Sequence, residues 1–441
     1  MLLEFKTKNY KCFKDEAVFS MMPAPKQKGL DYSLLTQAAG KRDYTALCSS
    51  VVYGANAAGK SNIVSAIQTF KSIVLHGNIN NVPGNFPNAA ENTLELIPNN
   101  SLPADKPEPV CFSIKFIDSD LLFDYSLAID LGAFLDSEYK RSIKSEILKI
   151  NEKDVFTRTD NKLEIFEKSL KSIEQYLLPD FKKNFKLILS YSEKSLKETD
   201  LYIINGFKTM VSSDISTLFY DFFMSKLKTY YQTFAVDMYP TYMNKFYEDS
   251  LLNEAAKSFG INSNKLVFVR QENAYDQQPI LCSVMEKGRL IPAINFESYG
   301  TYRFINTLPM FAQVLKKGGT IVMDEFDTSL HPMVVMDIIN IFHNDEINKN
   351  HAQLIFNTQN PIFLNNNLFR RDEIKFVERS DETNCSELYS LSDFGTKGTN
   401  ARKGKDYMNN YFMSKYGAIR DIDLSDIFKK FVENGDAPIT K

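Results

Sequence analysis

Residues 54–61 read Gly-Ala-Asn-Ala-Ala-Gly-Lys-Ser, and their flanks constrain the fold more than any other stretch of the chain. An apolar run at 46–53 leads into the first glycine, and Ile63, Ala66, Ile67, Phe70, Ile73 and Val74 then recur at helical spacing. Strand, glycine loop and helix together give the pattern G-x-x-x-x-G-K-[ST] its physical meaning. Gly54 and Gly59 allow turns and a close backbone approach that a side chain would block. The N–H groups of the loop and of the helix start, from Asn56, Ala57 and Ala58 through to Asn62, are then free to cradle a β-phosphate. Lys60 would neutralise the β- and γ-phosphate oxygens, and the Ser61 hydroxyl would ligate Mg²⁺. The plain alternative is an ordinary glycine-rich turn.

Far downstream, Thr320-Ile321-Val322-Met323 is an apolar strand that ends in Asp324 and Glu325. Asp324 would hold Mg²⁺ directly or through water, and Glu325 would polarise the attacking water, a role worth about 10²–10⁴ in rate. Read alone, the pair is a strand-terminal acidic patch facing solvent; read with the glycine loop, it completes a site that binds ATP and hydrolyses it. Upstream of it, Glu297-Ser298-Tyr299-Gly300-Thr301 opens a helix expected at 302–315. Ser298, Gly300 and Thr301 at a helix N-terminus offer an anion site, although Ser is also an ordinary N-cap.

Bulk properties narrow the remaining classes. A net charge of −3, with 44% hydrophobic and 24% charged residues, describes an ordinary globular protein without a field that draws it to nucleic acid. Any nucleic-acid contact would need a local patch, such as Lys397, Arg402, Lys403 and Lys405, which otherwise reads as a solvated loop. Five scattered cysteines without a C-x-x-C pair, and four histidines without ligand spacing, argue against disulfides and transition-metal sites. The N-terminus lacks a signal peptide's apolar stretch and no run of 18 apolar residues occurs, so a cytoplasmic protein without membrane contact is expected.

The expected architecture is an α/β head built from both ends of the chain. Residues 1–160 supply an opening strand and hairpin, the glycine loop, and strands at 110–116 and 123–129; residues 263–441 supply strands at 265–270, 280–284, 290–294 and 353–357 with the carboxylates. Residues 161–262 read as a helical insertion without strand signals, interrupted at Pro179 and Pro240 and too irregular for a coiled-coil arm. Its aromatic residues, among them Phe219, Tyr220, Phe222, Phe223, Tyr230, Tyr231, Phe234, Tyr239, Tyr242, Phe246 and Tyr247, fall at helical spacing; core packing is the default, with base stacking as the alternative.

The order of these motifs resembles ABC-type ATPase heads of the SMC/RecF/OLD-like branch. The likeness is carried by Asn9-Tyr10-Lys11-Cys12-Phe13, the glycine loop, residues 297–301, residues 323–332, and Tyr411-Phe412-Met413-Ser414-Lys415-Tyr416-Gly417-Ala418-Ile419. Within that branch it is similar to the ATPase subunit of two-component bacterial anti-phage systems such as PARIS-like or RloA/AbiL-like pairs. The resemblance implies that Ser298 and Gly300 contact the γ-phosphate of ATP held by a second subunit, so that head-to-head homo-oligomers form the catalytic unit. It places Asp327 and His331 at that junction, with a helix-start role for His331 beside Pro332 as the alternative. It also implies a separate effector protein, a toxin or nuclease, because the stretch after Gln359 is too short for a TOPRIM domain, and a phage-derived trigger.

Two departures stand out. Gln359 occupies the position where the family often has a γ-phosphate-sensing His, so hydrolysis is expected to be slow, and no Q-loop glutamine can be placed between Gln68 and Gln175. The rival readings are a RecF-like DNA-binding repair ATPase and a non-hydrolysing, ATP-bound scaffold.

Overall fold

Alternation of buried and half-exposed residues along the first strands builds an antiparallel sheet at one side of the head. The computed structural model describes the whole chain except residues 26, 28, 81–93, 100, 102–107, 132–140, 180, 182, 232–245, 264, 270–279, 395–404, 421–422 and 435–441. Strands β1 (Leu2–Lys8) and β2 (Ala17–Ser20) form the expected hairpin, closed by a bridge between Tyr10 and Phe13. The apolar run at 46–53 is divided at Cys48. Its first part belongs to β4 (Arg42–Leu47), which pairs with β3 (Leu34–Ala39), while β5 (Ser49–Tyr53) enters a different sheet. Strands β6 (Val110–Asp118), β7 (Leu121–Asp130), β8 (Ser142–Ile150), β9 (Lys153–Thr159) and β10 (Lys162–Ile165) complete a seven-stranded sheet in the order β10-β9-β8-β7-β6-β1-β2.

The remaining strands are β11 (Leu227–Tyr230), β12 (Phe246–Tyr247), β13 (Lys265–Val269), β14 (Ile280–Val284), β15 (Leu290–Pro292), β16 (Gly319–Met323), β17 (Ala352–Asn357), β18 (Ile374–Arg379) and β19 (Ser386–Ser390). Six of them, counting β5, form the central sheet β11-β16-β17-β5-β18-β19, parallel except for the antiparallel edge strand β19. β5 from the first part of the chain thus lies between β17 and β18 from the last part, which makes one head from both ends.

Parallel strands covered on both faces read as continuous apolar runs, and side-chain alternation assigns each face its own core. Val52, Val322, Ile355 and Val377 face the helix Lys60–His76 and, beyond it, the aromatic residues Phe5, Phe112 and Tyr125 of the antiparallel sheet. Val51, Ile321, Leu354 and Phe356 face the opposite way, onto Met310 and Phe311 of the helix Tyr299–Lys317 and Val335 and Ile339 of the helix Pro332–Phe342. The layers are antiparallel sheet, helix, parallel sheet, helices. A smaller sheet, β12-β13-β14-β15, packs Leu266, Phe268 and Leu281 against Leu252 and Ala256 of the helix Ser250–Phe259.

The segment expected to be purely helical contains helices at Phe185–Lys194, Ser213–Asp221 and Ser250–Phe259, but it also contributes β10, β11 and β12. β11 forms the edge of the central sheet, parallel to β16, and at four residues it is too short to show a period against its helical neighbours. Three aromatic residues of this segment serve the core: Phe222 stacks on Phe116 at 3.8 Å, and Phe219 and Phe223 pack beside it. Phe234, Tyr239 and Tyr242 lie outside the described residues, as do Lys397, Arg402 and Lys403 of the basic cluster; Lys405 is exposed. The strand expected at 290–294 stops at Pro292, and Ala293–Phe296 turns into a short helix. All five cysteines are free thiols, and among the described residues no helix is long and apolar enough to cross a membrane.

Candidate nucleotide site

The glycine loop, Asp324 and Glu325, and Gln359 follow β5, β16 and β17, so the topology gathers them at the carboxyl edge of the parallel sheet, where α/β folds bind ligands. Gly59 caps the helix Lys60–His76 at φ 112°, a conformation that side chains rarely adopt, and a Cβ there would strike Cys12 Sγ. Lys60 is buried, and its Nζ donates to the carbonyl oxygens of Gly54 at 2.8 Å and Ala55 at 3.0 Å. Burial pushes its pKa down, opposed by the charges of Glu325 and Asp324.

Ser61 reaches directly across to the second motif, its Oγ donating to Asp324 Oδ1 at 2.9 Å. Asn357 Nδ2 donates to the same oxygen, and Asn357 Oδ1 accepts the Glu325 N–H at 2.6 Å. Glu325 sits in the left-handed region at φ 47°, and its carbonyl accepts from Arg303 Nη2 at 2.6 Å. Gln359 Nε2 donates to Glu325 Oε1 at 3.2 Å, so the residue expected as the phosphate sensor touches the expected catalytic carboxylate. Burial raises the Asp324 pKa, while the hydrogen bonds from Asn357 and Ser61 oppose the rise. A hydroxyl and a carboxylate oxygen converging at this edge are a donor set suited to a hard cation such as Mg²⁺.

Ser298 is the N-cap of the helix Tyr299–Lys317, its Oγ accepting from Thr301 N at 3.1 Å and lying 2.7 Å from Thr301 Oγ1. Gly300 lies so close to Ser329 that a Cβ would strike the Ser329 carbonyl oxygen. Asp327 accepts from Thr358 Oγ1 at 2.7 Å, and His331 Nδ1 accepts from Met333 N at 3.3 Å, so His331 caps the helix Pro332–Phe342.

Several residues around the site escaped the sequence reading. Asn357 and Arg303 brace the carboxylate pair, and Ser386 Oγ donates to Ala58 O at 2.6 Å; Asn62, expected at the helix start, donates from Nδ2 to Cys12 Sγ at 3.0 Å. Arg379 lies at the outer side of the loop, in a pocket of about 170 Å³ that it shares with Asn56, Ala57, Asp381, Ile419 and Arg420. A polar residue ending a strand, such as Asn357, is a signal that sequence could have offered. The others depend on contacts between distant segments.

A family model described as "AAA domain, putative AbiEii toxin, Type IV TA system" matches residues 49–365, from the glycine-loop strand past Gln359. The chain belongs to that family. The site of this AAA-domain protein is accordingly a P-loop ATPase site, with the loop and the carboxylates at one sheet edge. No curated protein sequence matches the chain. Among solved structures, similar ones include an SMC head bound to the C-terminal winged-helix domain of ScpA (13% identity, covering 88% of this chain and 97% of that chain, TM-score 0.39). Others are the SMC head domain from Thermotoga maritima (13%, 88% and 98%, TM-score 0.34) and an SMC head with an extended coiled coil bound to the C-terminal domain of ScpA derived from Pyrococcus furiosus (14%, 88% and 96%, TM-score 0.38).

Proposed function

We propose that this chain binds and hydrolyses ATP as an oligomeric switch in bacterial anti-phage defence, and that it controls a separate toxin or nuclease. The observation that carries the catalytic part is the hydrogen bond from Ser61 to Asp324, with Glu325 next in sequence and bonded to Gln359. The family description, with its abortive-infection and toxin–antitoxin terms, supports the defence setting.

In this reading the loop N–H groups and Lys60 hold the phosphates, and Ser61 and Asp324 hold Mg²⁺. The bound cation would neutralise charge on the β- and γ-phosphate oxygens. Glu325 orients the attacking water and takes its proton, and Gln359 fixes the carboxylate that does so. A neutral amide at position 359 cannot supply positive charge to the departing phosphate, which favours slow turnover and a long-lived ATP state. Ser298 and Gly300 of a second copy complete each site, so ATP holds two heads together.

The test compares ATP hydrolysis and oligomeric mass for wild type and Glu325→Gln, with and without duplex DNA. Loss of hydrolysis in Glu325→Gln, a larger mass in ATP, and indifference to DNA support the switch. Strong, salt-sensitive stimulation by DNA replaces it with a repair clamp. Equal behaviour of the two proteins replaces it with a scaffold.

A further inference from the structure

Two apolar surfaces of this chain are uncovered among the described residues, and they are complementary in form. The first is the helix Ser425–Asn434, whose start is held by Ser425 N donating to Asp423 Oδ1 at 2.8 Å. Leu424, Ile427, Phe428, Phe431 and Val432 recur at i, i+3, i+4, i+7 and i+8 and form one stripe, yet Phe428 is 63% and Val432 82% exposed. A helix that packed on its own head would bury this stripe. The second surface is a groove of about 670 Å³ between three helices, walled by Phe259, Phe304, Leu308, Val334, Ile338 and Ile341, with His331 and Met333 at one end. The rings of Phe259 and Phe304, both lining it, stack at 4.5 Å; Asp337 lies in the lining as well, and the helix carries Asp426 and Glu433 beside Lys429 and Lys430, so apolar fit rather than charge argues the pairing.

We infer that the helix Ser425–Asn434 of one copy seats its apolar stripe in this groove on a second copy of the chain. The choice of a second copy follows from where each surface begins, and it rests on the head-to-head reading above. Ala418, Ile419 and Arg420 line the pocket beside glycine-loop residues 55–58, and the helix begins only five positions beyond Arg420. Phe304 and Leu308 lie on the helix that Ser298 caps, within about three turns of that cap. If the glycine loop of one copy meets Ser298 of the other, the helix leaves its head on the face to which the partner presents its groove. Two-fold symmetry makes the exchange reciprocal, with each copy giving one helix and receiving one. An amphipathic helix laid in an apolar groove by its i, i+3, i+4 and i+7 anchors is a recurrent recognition mode.

The experiment pairs Phe428→Cys with Val334→Cys on one full-length chain that also carries Glu325→Gln, so that ATP persists. Oxidation is carried out with and without ATP, and variants carrying only one of the two added cysteines control for the five native thiols. The expected result is a covalent dimer that needs ATP and both cysteines. In parallel, Phe428→Asp with Phe431→Asp, two changes on an exposed face that leave folding intact, should weaken ATP-dependent dimerisation at least about tenfold. An ATP-dependent dimer by mass without the cross-link, or a cross-link confined to the monomer, overturns the helix exchange and leaves the head-to-head reading standing. Absence of any ATP-dependent dimer overturns both.

Discussion

Asn357 and Glu325 share a hydrogen bond of 2.6 Å, from the Glu325 N–H to Asn357 Oδ1, while the amide nitrogen of the same Asn357 bonds to Asp324. One buried amide therefore fixes both members of the carboxylate pair. Asn357→Ala should lower ATP turnover about 10- to 100-fold and raise the Mg²⁺ concentration needed for half-maximal rate, with ATP binding retained. Steady-state rates across a Mg²⁺ titration, set beside nucleotide-binding affinity, check this.

The Gln359–Glu325 contact gives a second, separable expectation. Gln359→Ala should slow turnover about tenfold without weakening ATP binding, because it removes a donor to the carboxylate and leaves the glycine loop intact. Single-turnover hydrolysis alongside equilibrium binding distinguishes the two effects.

These two residues mark how much of the site was legible in the chain. Lys60, Ser61, Asp324 and Glu325 could be placed because phosphate and cation chemistry require fixed residue types at fixed offsets from strand ends. Asn357 sits only two positions before Gln359, yet its role depends on β17 lying beside β16, a pairing that no local pattern states. The same limit applies to Arg303, which reaches the Glu325 carbonyl from a different helix, and to Cys12, which meets Gly59 across two sheets. β11 was missed for another reason. Its four residues give neither a period of two nor turn signals, and only partnership with β16 makes them a strand. β5, β16 and β17 were legible because burial on both faces demands an unbroken apolar run, whereas β18, which reads Ile-Lys-Phe-Val-Glu-Arg, interrupts its apolar residues with charge and gave no such run.

Arg158 and Glu146 form a fully buried pair at 3.6 Å. The guanidinium donates to the carbonyls of Asp200 and Lys197, and the carboxylate accepts the N–H groups of Tyr202 and Ile203. The pair anchors segment 197–203 to the antiparallel sheet. Arg158→Met should cost about 3–5 kcal/mol, because it strands a buried carboxylate, and the double change Arg158→Met with Glu146→Leu should cost less than the single one. Denaturant titration of the three proteins tests the order.

Lys375 is buried against the ring of Phe19, and desolvation lowers its pKa to about 8. The unfolded chain keeps this proton up to its ordinary value of 10.5. Between those two values the unfolded state therefore binds more protons, and the contribution of Lys375 to stability rises with pH. Below pH 8 both states hold the proton and the cost of burying the charge is fully present. Compared with Lys375→Met, wild type should gain on the order of 3 kcal/mol as pH rises through this window. Paired denaturation curves at pH 7.5 and pH 10, two conditions chosen to straddle most of that window, give the sign directly.

The central claim is that ATP is hydrolysed in a site shared by two copies, with Lys60 supplied by one and Ser298 by the other. The most direct measurement is the hydrolysis rate of Lys60→Ala, of Ser298→Arg, and of an equal mixture of the two. Each variant alone should be inactive. Random pairing makes half of the mixed dimers heterodimers with one intact site each, so the mixture should recover about a quarter of wild-type activity. A mixture as inactive as its components, beside a normally active wild type, would contradict the shared site.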